Sequence, residues 1–261
     1  MTYSENMTKA ILLSFDVEEF DIPEEYGTKI EDSVKFAVSA QGLKEVLYLL
    51  EKLNIKATFF VTANFAINHK NLILEISRNH EIASHGFYHS DFKVEDLKKS
   101  RLTLEEIIHQ KVIGFRMPRL QRVNELEIKT AGYEYNSSMN PTYLPGRYNN
   151  FFKPRTVYLS NKLINIPISV TPLIRFPLFW LSFKNFPIPL IKFATQLTIN
   201  HDHYLNIYFH PWEFTDLTRY RLPSYIKKRS GKEMVRRLES YLLWLKSQGQ
   251  FISISQFIAE R

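Results

Sequence analysis

Two imidazoles stand four residues apart in Ile82-Ala83-Ser84-His85-Gly86-Phe87-Tyr88-His89-Ser90, at the end of a short apolar run. Neutral imidazoles at that spacing can share one metal ion, and one helical turn across residues 86–88 would put both on the same side. Asp16 and Glu18 follow another apolar run, Ile11-Leu12-Leu13-Ser14-Phe15. Residues two apart on an extended segment point the same way, so both carboxylates can face one site, one as a metal ligand and the other as a free base. With His85 and His89, one of them makes a two-His, one-carboxylate set that leaves room for water and substrate. Arg116 closes the run in Gly114-Phe115-Arg116-Met117-Pro118. A buried Arg needs a carboxylate, and Asp16 is the obvious partner to be oriented by it. His210, in Tyr208-Phe209-His210-Pro211-Trp212-Glu213-Phe214, ends a further run and is the natural proton donor. The plain alternatives are a hydrogen-bonded core His, a surface Arg and a solvated acidic loop. That last reading is taken for Glu19, Asp21, Glu24 and Glu25, while His201 and His203 are read as structural or solvent-facing.

These groups need a frame. Residues 11–15 read as a buried strand. Residues 41–53 read as a helix whose face is Leu43, Val46, Leu47, Leu50 and Leu53. A strand at 57–62, a helix at 64–78 and a strand at 81–84 follow. After them come a helix at 94–108, a strand at 111–115 and a short helix at 126–131 closed by Gly132. Strand and helix in alternation predict an α/β fold with a parallel sheet or barrel, and active sites of such folds lie at the C-terminal strand ends. Asp16, Glu18, His85, Arg116 and His210 all fall at or just beyond such an end.

The pattern loosens at 140–190, which holds most of the 12 prolines and one expected strand, 163–169. The apolar, aromatic stretch 174–186 is too broken for a membrane span. A cap packed over the main domain is expected, with a peripheral contact to the membrane surface as the alternative. A helix at 190–199, a strand at 205–209, a helix at 232–248 and a strand at 251–254 complete the chain. The helix at 232–248 carries Met234, Leu238, Tyr241, Leu242 and Leu245 on one face. Without repeats or low-complexity linkers, 1–261 reads as a single domain with a Pro/aromatic-rich cap insertion around 140–190.

The 261 residues contain no Cys, which excludes disulfides and thiolate ligands or nucleophiles, so a metal must be held by His, carboxylate or water. The net charge of +7 comes without zinc-finger spacing or a stacking-aromatic sheet, and its one cluster is Lys227, Lys228 and Arg229; a nucleic-acid partner is not expected. The first apolar segment is too short for a signal-peptide core, and no run reaches about 18 uncharged apolar residues. The expected location is the cytoplasm, including its membrane face, with no signal peptide or transmembrane helix. The oligomeric state is left open.

Taken together and in this order, the motifs resemble the polysaccharide deacetylases of carbohydrate esterase family 4, the nodulation-type deacetylases, over about 11–257. SFDVEE is similar to the family's motif of an Asp base and an acidic ligand, SHGFYH to its His ligand pair, GFRMP to its base-positioning Arg, and YFHPWEF to its acid His. GYEYNSSMNP and IPIS resemble a bacterial branch acting on exported or surface polysaccharides. The resemblance implies a distorted, incomplete (β/α) barrel. It implies a divalent ion, Zn²⁺ first with Co²⁺, Mn²⁺ or Ni²⁺ as alternatives, on Glu18, His85 and His89. It also implies Asp16 as base aligned by Arg116, and His210 as acid. Adjacent aspartates are usual in the family, whereas here Asp16-Val17-Glu18 leaves open which carboxylate is the ligand. Asn136 stands where many relatives carry Asp, which would weaken a contact tuning the acid His. The implied activity is hydrolytic removal of N-acetyl groups from an amino-sugar polysaccharide or its lipid-linked precursor. A small cyclic amide or ureide, as in allantoinase-like relatives, and an inactive sugar-binding homologue are the alternatives. Pro118, Tyr143 and Trp212 are the candidates for touching the sugar; Tyr143, Trp180 and Trp212 could stack on its rings, with core packing an equal alternative.

Overall fold

The computed structural model describes residues 9–261. Its elements run in chain order as β1 (Ala10–Val17), α1 (Asp32–Leu53), β2 (Thr58–Val61), α2 (Ala63–Asn68), α3 (Lys70–Ile76) and β3 (Glu81–Ser84). Then come α4 (Glu95–Ile108), β4 (Gly114–Phe115), α5 (Glu125–Thr130), β5 (Tyr135–Asn136), β6 (Tyr143–Leu144), β7 (Tyr148–Asn149), β8 (Tyr158–Ser160) and β9 (Leu163–Asn165). The chain closes with α6 (Trp180–Asn185), α7 (Ile188–Asp202), β10 (Tyr204–Phe209), α8 (Ser224–Lys227), α9 (Lys232–Leu245), β11 (Gln250–Phe251) and α10 (Ile254–Ala259).

The main sheet runs β10-β1-β2-β3-β4-β5-β9-β8, with β11 added to β1. Neighbours are parallel except the β8–β9 hairpin at the edge. The sheet curls into an incomplete (β/α) barrel. Successive side chains on a strand face opposite ways, and β1 divides its residues accordingly. Ile11, Leu13, Phe15 and Val17 join the core under the helices, with Leu43 and Val46 of α1 and Leu238 and Leu242 of α9. Leu12 joins Phe60, Ala83, Tyr135 and Ile166 in a second cluster inside the curl. Each buried Val, Leu, Ile or Phe side chain among these contributes about 1.5–3 kcal/mol. Further along the inner face, Ser14 and Asp16 replace apolar residues, so the barrel interior turns polar at its C-terminal end, where the site lies.

Between β9 and β10 the ladder fails, because Pro167 has no N–H to offer. Asn206 of β10 patches the gap: its side-chain amide donates to the carbonyls of Ile166 (3.2 Å) and Pro167 (3.0 Å). The backbone N–H of Ser169 donates to the Asn206 carbonyl at 2.9 Å.

Several boundaries differ from the sequence-based expectations. The helix expected at 41–53 begins at Asp32. The helix expected at 64–78 divides at His69 into α2 and α3. The strand at 111–115 pairs only through Gly114 and Phe115, and Ile254 opens α10 rather than ending a strand. In 140–190 the expected strand at 163–169 is the shorter β9, joined by β6, β7, β8 and α6, none of them foreseen. Within the apolar stretch, Leu178, Phe179, Trp180 and Phe183 are buried, whereas Leu173 and Ile174 are exposed. Residues 85–89 form no helical turn; Gly86 (φ +79°) bends them as a loop. Gly42 is dictated by packing, since a Cβ there would fall 1.8 Å from the Pro211 carbonyl oxygen, so α1 lies directly on the short 3-10 helix Pro211–Phe214.

Candidate metal centre and active site

Each chemically equipped side chain leaves the end of a barrel strand: Asp16 and Glu18 from β1, His85 from β3, Arg116 from β4 and His210 from β10. All five, with His89, are buried. Asp16, Glu18, His85, His89 and His210 line one cleft, and Arg116 stands behind it on Asp16.

Glu18 is the hub. Its Oε2 lies 3.1 Å from His85 Nε2 and 3.0 Å from His89 Nε2. One donor atom from each of these residues lies within 4.8 Å of the others. Both imidazoles are locked from behind, His85 Nδ1 on the Arg116 carbonyl (2.9 Å) and His89 Nδ1 on Asp21 Oδ1 (2.8 Å). Such bonds fix the tautomer and aim the Nε2 lone pairs inward. The second Glu18 oxygen accepts the Trp212 indole N–H at 3.1 Å. A carboxylate and two oriented imidazoles on one side, with open cleft on the other, fit a divalent ion with room for water and substrate.

Arg116 is fully buried and shared between two tasks. Its Nη1 reaches Asp16 Oδ1 at 2.6 Å and Ser14 Oγ at 3.0 Å, while Nε and Nη2 bond the Ser137 carbonyl and hydroxyl. Its guanidinium lies 4.0 Å from the Phe60 ring centroid. The side chain thus orients Asp16 while the backbone carbonyl orients His85. The other Asp16 oxygen lies 4.0 Å from His85 Nε2, beside the donor cluster. His210 flanks Glu18 elsewhere, its Nε2 3.9 Å from Oε1, and its ring is stacked on Trp212 with centroids 4.8 Å apart.

Three side chains act here without having been identified from sequence. Asp21, expected in solvent, is buried against His89 and also takes Arg119 Nη2 at 3.2 Å; Phe20 and Ile22 on either side anchor the loop inward. Glu19, expected likewise in solvent, is buried and accepts from Thr62 and Asn64. Glu213 caps the 3-10 helix by accepting the His210 backbone N–H (2.9 Å), and the same oxygen lies 3.3 Å from His210 Nδ1. Its other oxygen lies 3.3 Å from the buried ammonium of Lys184 on α6. A carboxylate three residues after His210, the N-cap of the short helix, was the available signal. Asn136, expected beside the acid His, instead bonds Asn165 and Ser138, and Glu213 holds the position at His210. Of the three sugar-contact candidates, Trp212 lines the cleft; Pro118 is buried under Gly86, and Tyr143 is exposed and outside the cleft lining, where Tyr148 and Trp180 stand instead.

The charges interlock. Burial alone would raise the Glu18 carboxyl, but His89, His210 and His85 together hold it below the usual carboxylate range. Burial would lower His89, yet Glu18 and the Asp21 bond push it up to about 9. Burial is likewise outweighed at His210, raised by Glu18 and Glu213. Protons and a divalent cation compete for the same lone pairs. The stability that raised His89 contributes is complete below its ordinary value of 6.5 and is lost as pH rises through about 9. Glu18 runs the other way, its contribution being lost only as pH falls below the carboxylate range. Chelated protein should therefore lose stability between these two His89 values, and the gain in Tm on adding divalent ion should grow over the same interval. Thermal unfolding with and without chelator across pH checks this; a gain that does not vary with pH contradicts it.

The family model described as polysaccharide deacetylase matches residues 5–136. The chain belongs to the polysaccharide deacetylase family. No curated protein matches it in sequence. Among solved structures it is similar to a chain assigned as a polysaccharide deacetylase from Mycobacterium smegmatis (18% identity, TM-score 0.64, covering 99% of this chain and 92% of that one). It is also similar to PuuE allantoinase (16%, TM-score 0.61, 95% and 89%). A third is a family 4 acetyl xylan esterase from Clostridium thermocellum in complex with a cobalt ion (15%, TM-score 0.50, 96% and 91%). At these identities the likeness carries the fold, and the site rests on its own geometry.

Proposed function

We propose that this chain is a metal-dependent N-deacetylase that hydrolyses the acetamido group of an amino-sugar polysaccharide or of its lipid-linked precursor, releasing acetate and a free amine. The observation that carries this reading is the placement of an oriented base, Asp16, and a candidate acid, His210, around one Glu18–His85–His89 donor cluster. A divalent ion held there, Zn²⁺ first, would acidify a water molecule and polarise the acetyl carbonyl. Asp16, held by Arg116, accepts the proton of the attacking water. Glu18 takes the carboxylate-ligand role because it touches both imidazoles, while Asp16 is spoken for by Arg116. His210 presents Nε2 to the cleft, with Nδ1 facing Glu213, and delivers a proton to the departing amine. Trp212 and Trp180 give the cleft an apolar wall beside that nitrogen.

Acetate release from N-acetylated oligosaccharides, run beside ring opening of allantoin, tests the substrate class. Acetate without ring opening is expected; ring opening without acetate would move the chain to the cyclic ureides, and neither would favour a binding role. The same assay probes Glu213. Glu213→Gln should lower turnover of the N-acetyl sugar by about 10- to 100-fold, the range for groups that orient a catalytic partner. It should leave hydrolysis of 4-nitrophenyl acetate nearly unchanged, because a nitrophenolate leaves without a proton. Equal loss on both substrates would make Glu213 merely structural.

A further inference from the structure

The whole net charge of +7 resides in one segment. Residues 135–201 contain seven Lys and Arg and not one Asp or Glu, while the rest of the chain balances 27 against 27. The same segment carries the three most exposed large apolar side chains, Phe152 (92%), Leu173 (90%) and Ile174 (76%). They sit on two loop tips that are tied together. Arg175 donates to the Lys153 carbonyl at 2.7 Å and to the Pro141 carbonyl at 3.2 Å, and its guanidinium lies 5.4 Å from the Phe151 ring. The second tip is a closed turn, with Thr171 N–H on the Phe176 carbonyl and a bridge between Val170 and Pro177. Phe176 in turn meets Phe186 edge-on at 5.1 Å, ahead of the exposed Leu190 and Phe193 of α7. Apolar residues on a firm turn, flanked by cations, are what a peripheral membrane contact requires.

We infer that the paired tips around Phe152 and Leu173–Ile174 dock on an anionic lipid bilayer. Charge complementarity selects this occupant. Among the described residues Lys153 and Arg175 form no ion pair, so their charge is available to acidic headgroups while the apolar tips enter the acyl boundary. Both tips run directly into the cleft, since Arg147 and Tyr148 precede the first and Phe179 and Trp180 follow the second, and all four line it. Combined with the proposed deacetylase function, on which this step rests, the docking names the substrate class: an N-acetylated sugar tethered to lipid.

Co-sedimentation with vesicles of equal parts phosphatidylglycerol and phosphatidylethanolamine tests the docking without using activity. Wild type should bind, about tenfold more weakly to pure phosphatidylcholine and in high salt. Phe152→Ser/Ile174→Ser should lower partitioning at least about tenfold. These residues stand in solvent away from Asp16 and His210, so hydrolysis of a soluble N-acetyl oligosaccharide should not change. Turnover of a vesicle-borne N-acetyl glycolipid should fall with the partitioning. Absence of vesicle binding by wild type, or binding undiminished in the variant, overturns the proposal. So does a wild-type dimer that the same substitutions dissociate, which would make the tips a contact between copies of the chain. Vesicle binding with no hydrolysis of any N-acetyl sugar would leave the docking standing and remove the deacetylase reading.

Discussion

Asp16→Asn is expected to lower turnover of an N-acetylated sugar by about 10²- to 10⁴-fold, the range that a positioned proton acceptor supplies. The change is nearly isosteric, and the amide can still accept a hydrogen bond from Arg116. Metal affinity should be largely retained, because Glu18, His85 and His89 already supply three donor atoms within mutual reach. That division separates the two carboxylates. Glu18→Gln should lose metal and activity together, whereas Asp16→Asn should lose activity alone. Metal content by calorimetric titration, measured beside turnover, checks this. Loss of metal in Asp16→Asn would make Asp16 the ligand and reverse the assigned roles.

The second large effect falls on stability. Arg116→Met should cost about 3–5 kcal/mol, because it leaves the Asp16 carboxylate buried without its cation. At about 2–4 °C per kcal/mol for a chain of this size, Tm should drop by about 6–20 °C. Lys should not rescue the site: the guanidinium serves Asp16, Ser14 and the carbonyl and hydroxyl of Ser137 at once, which a single ammonium cannot span. The double variant Arg116→Met/Asp16→Asn should be more stable than Arg116→Met alone, since it removes the stranded charge. Denaturant unfolding of the set measures this. A double variant no more stable than the single one would mean that Arg116 acts mainly through packing on Phe60 and Tyr208.

What could be read from sequence follows a physical divide. The barrel strands announce themselves because both faces are covered, so 11–15, 57–62 and 205–209 read as largely apolar runs, broken only by Ser14, Thr58, Thr62 and Asn206, and an ionisable residue just beyond such a run marks the sheet's C-terminal edge. That rule alone places Asp16, His85, Arg116 and His210 together. Groups whose position depends on a loop folding back are not legible this way. Asp21 looks like one acid among many until Phe20 and Ile22 are seen to bury it. Glu213 looks like a surface acid until the short helix turns it onto His210. The spacing of His85 and His89 suggested a helical turn, but Gly86 supplies a left-handed bend that reaches the same juxtaposition. Residues 140–190 resisted because prolines cut the backbone into pieces too short for either period, and the partners of β8 and α6 are tertiary. The uncompensated charge of 135–201 was legible throughout, though its meaning depends on seeing Phe152 and Leu173 exposed on loops that Arg175 ties together.

The measurement that bears most directly on the central claim is titration of chelator-treated protein with Zn²⁺, following ion binding and acetate release from an N-acetylated oligosaccharide together. A single ion per chain, acetate release rising in proportion to occupancy, and loss of both in His85→Ala are predicted. Undiminished acetate release by the chelated protein, or binding and release that survive His85→Ala, would contradict the account.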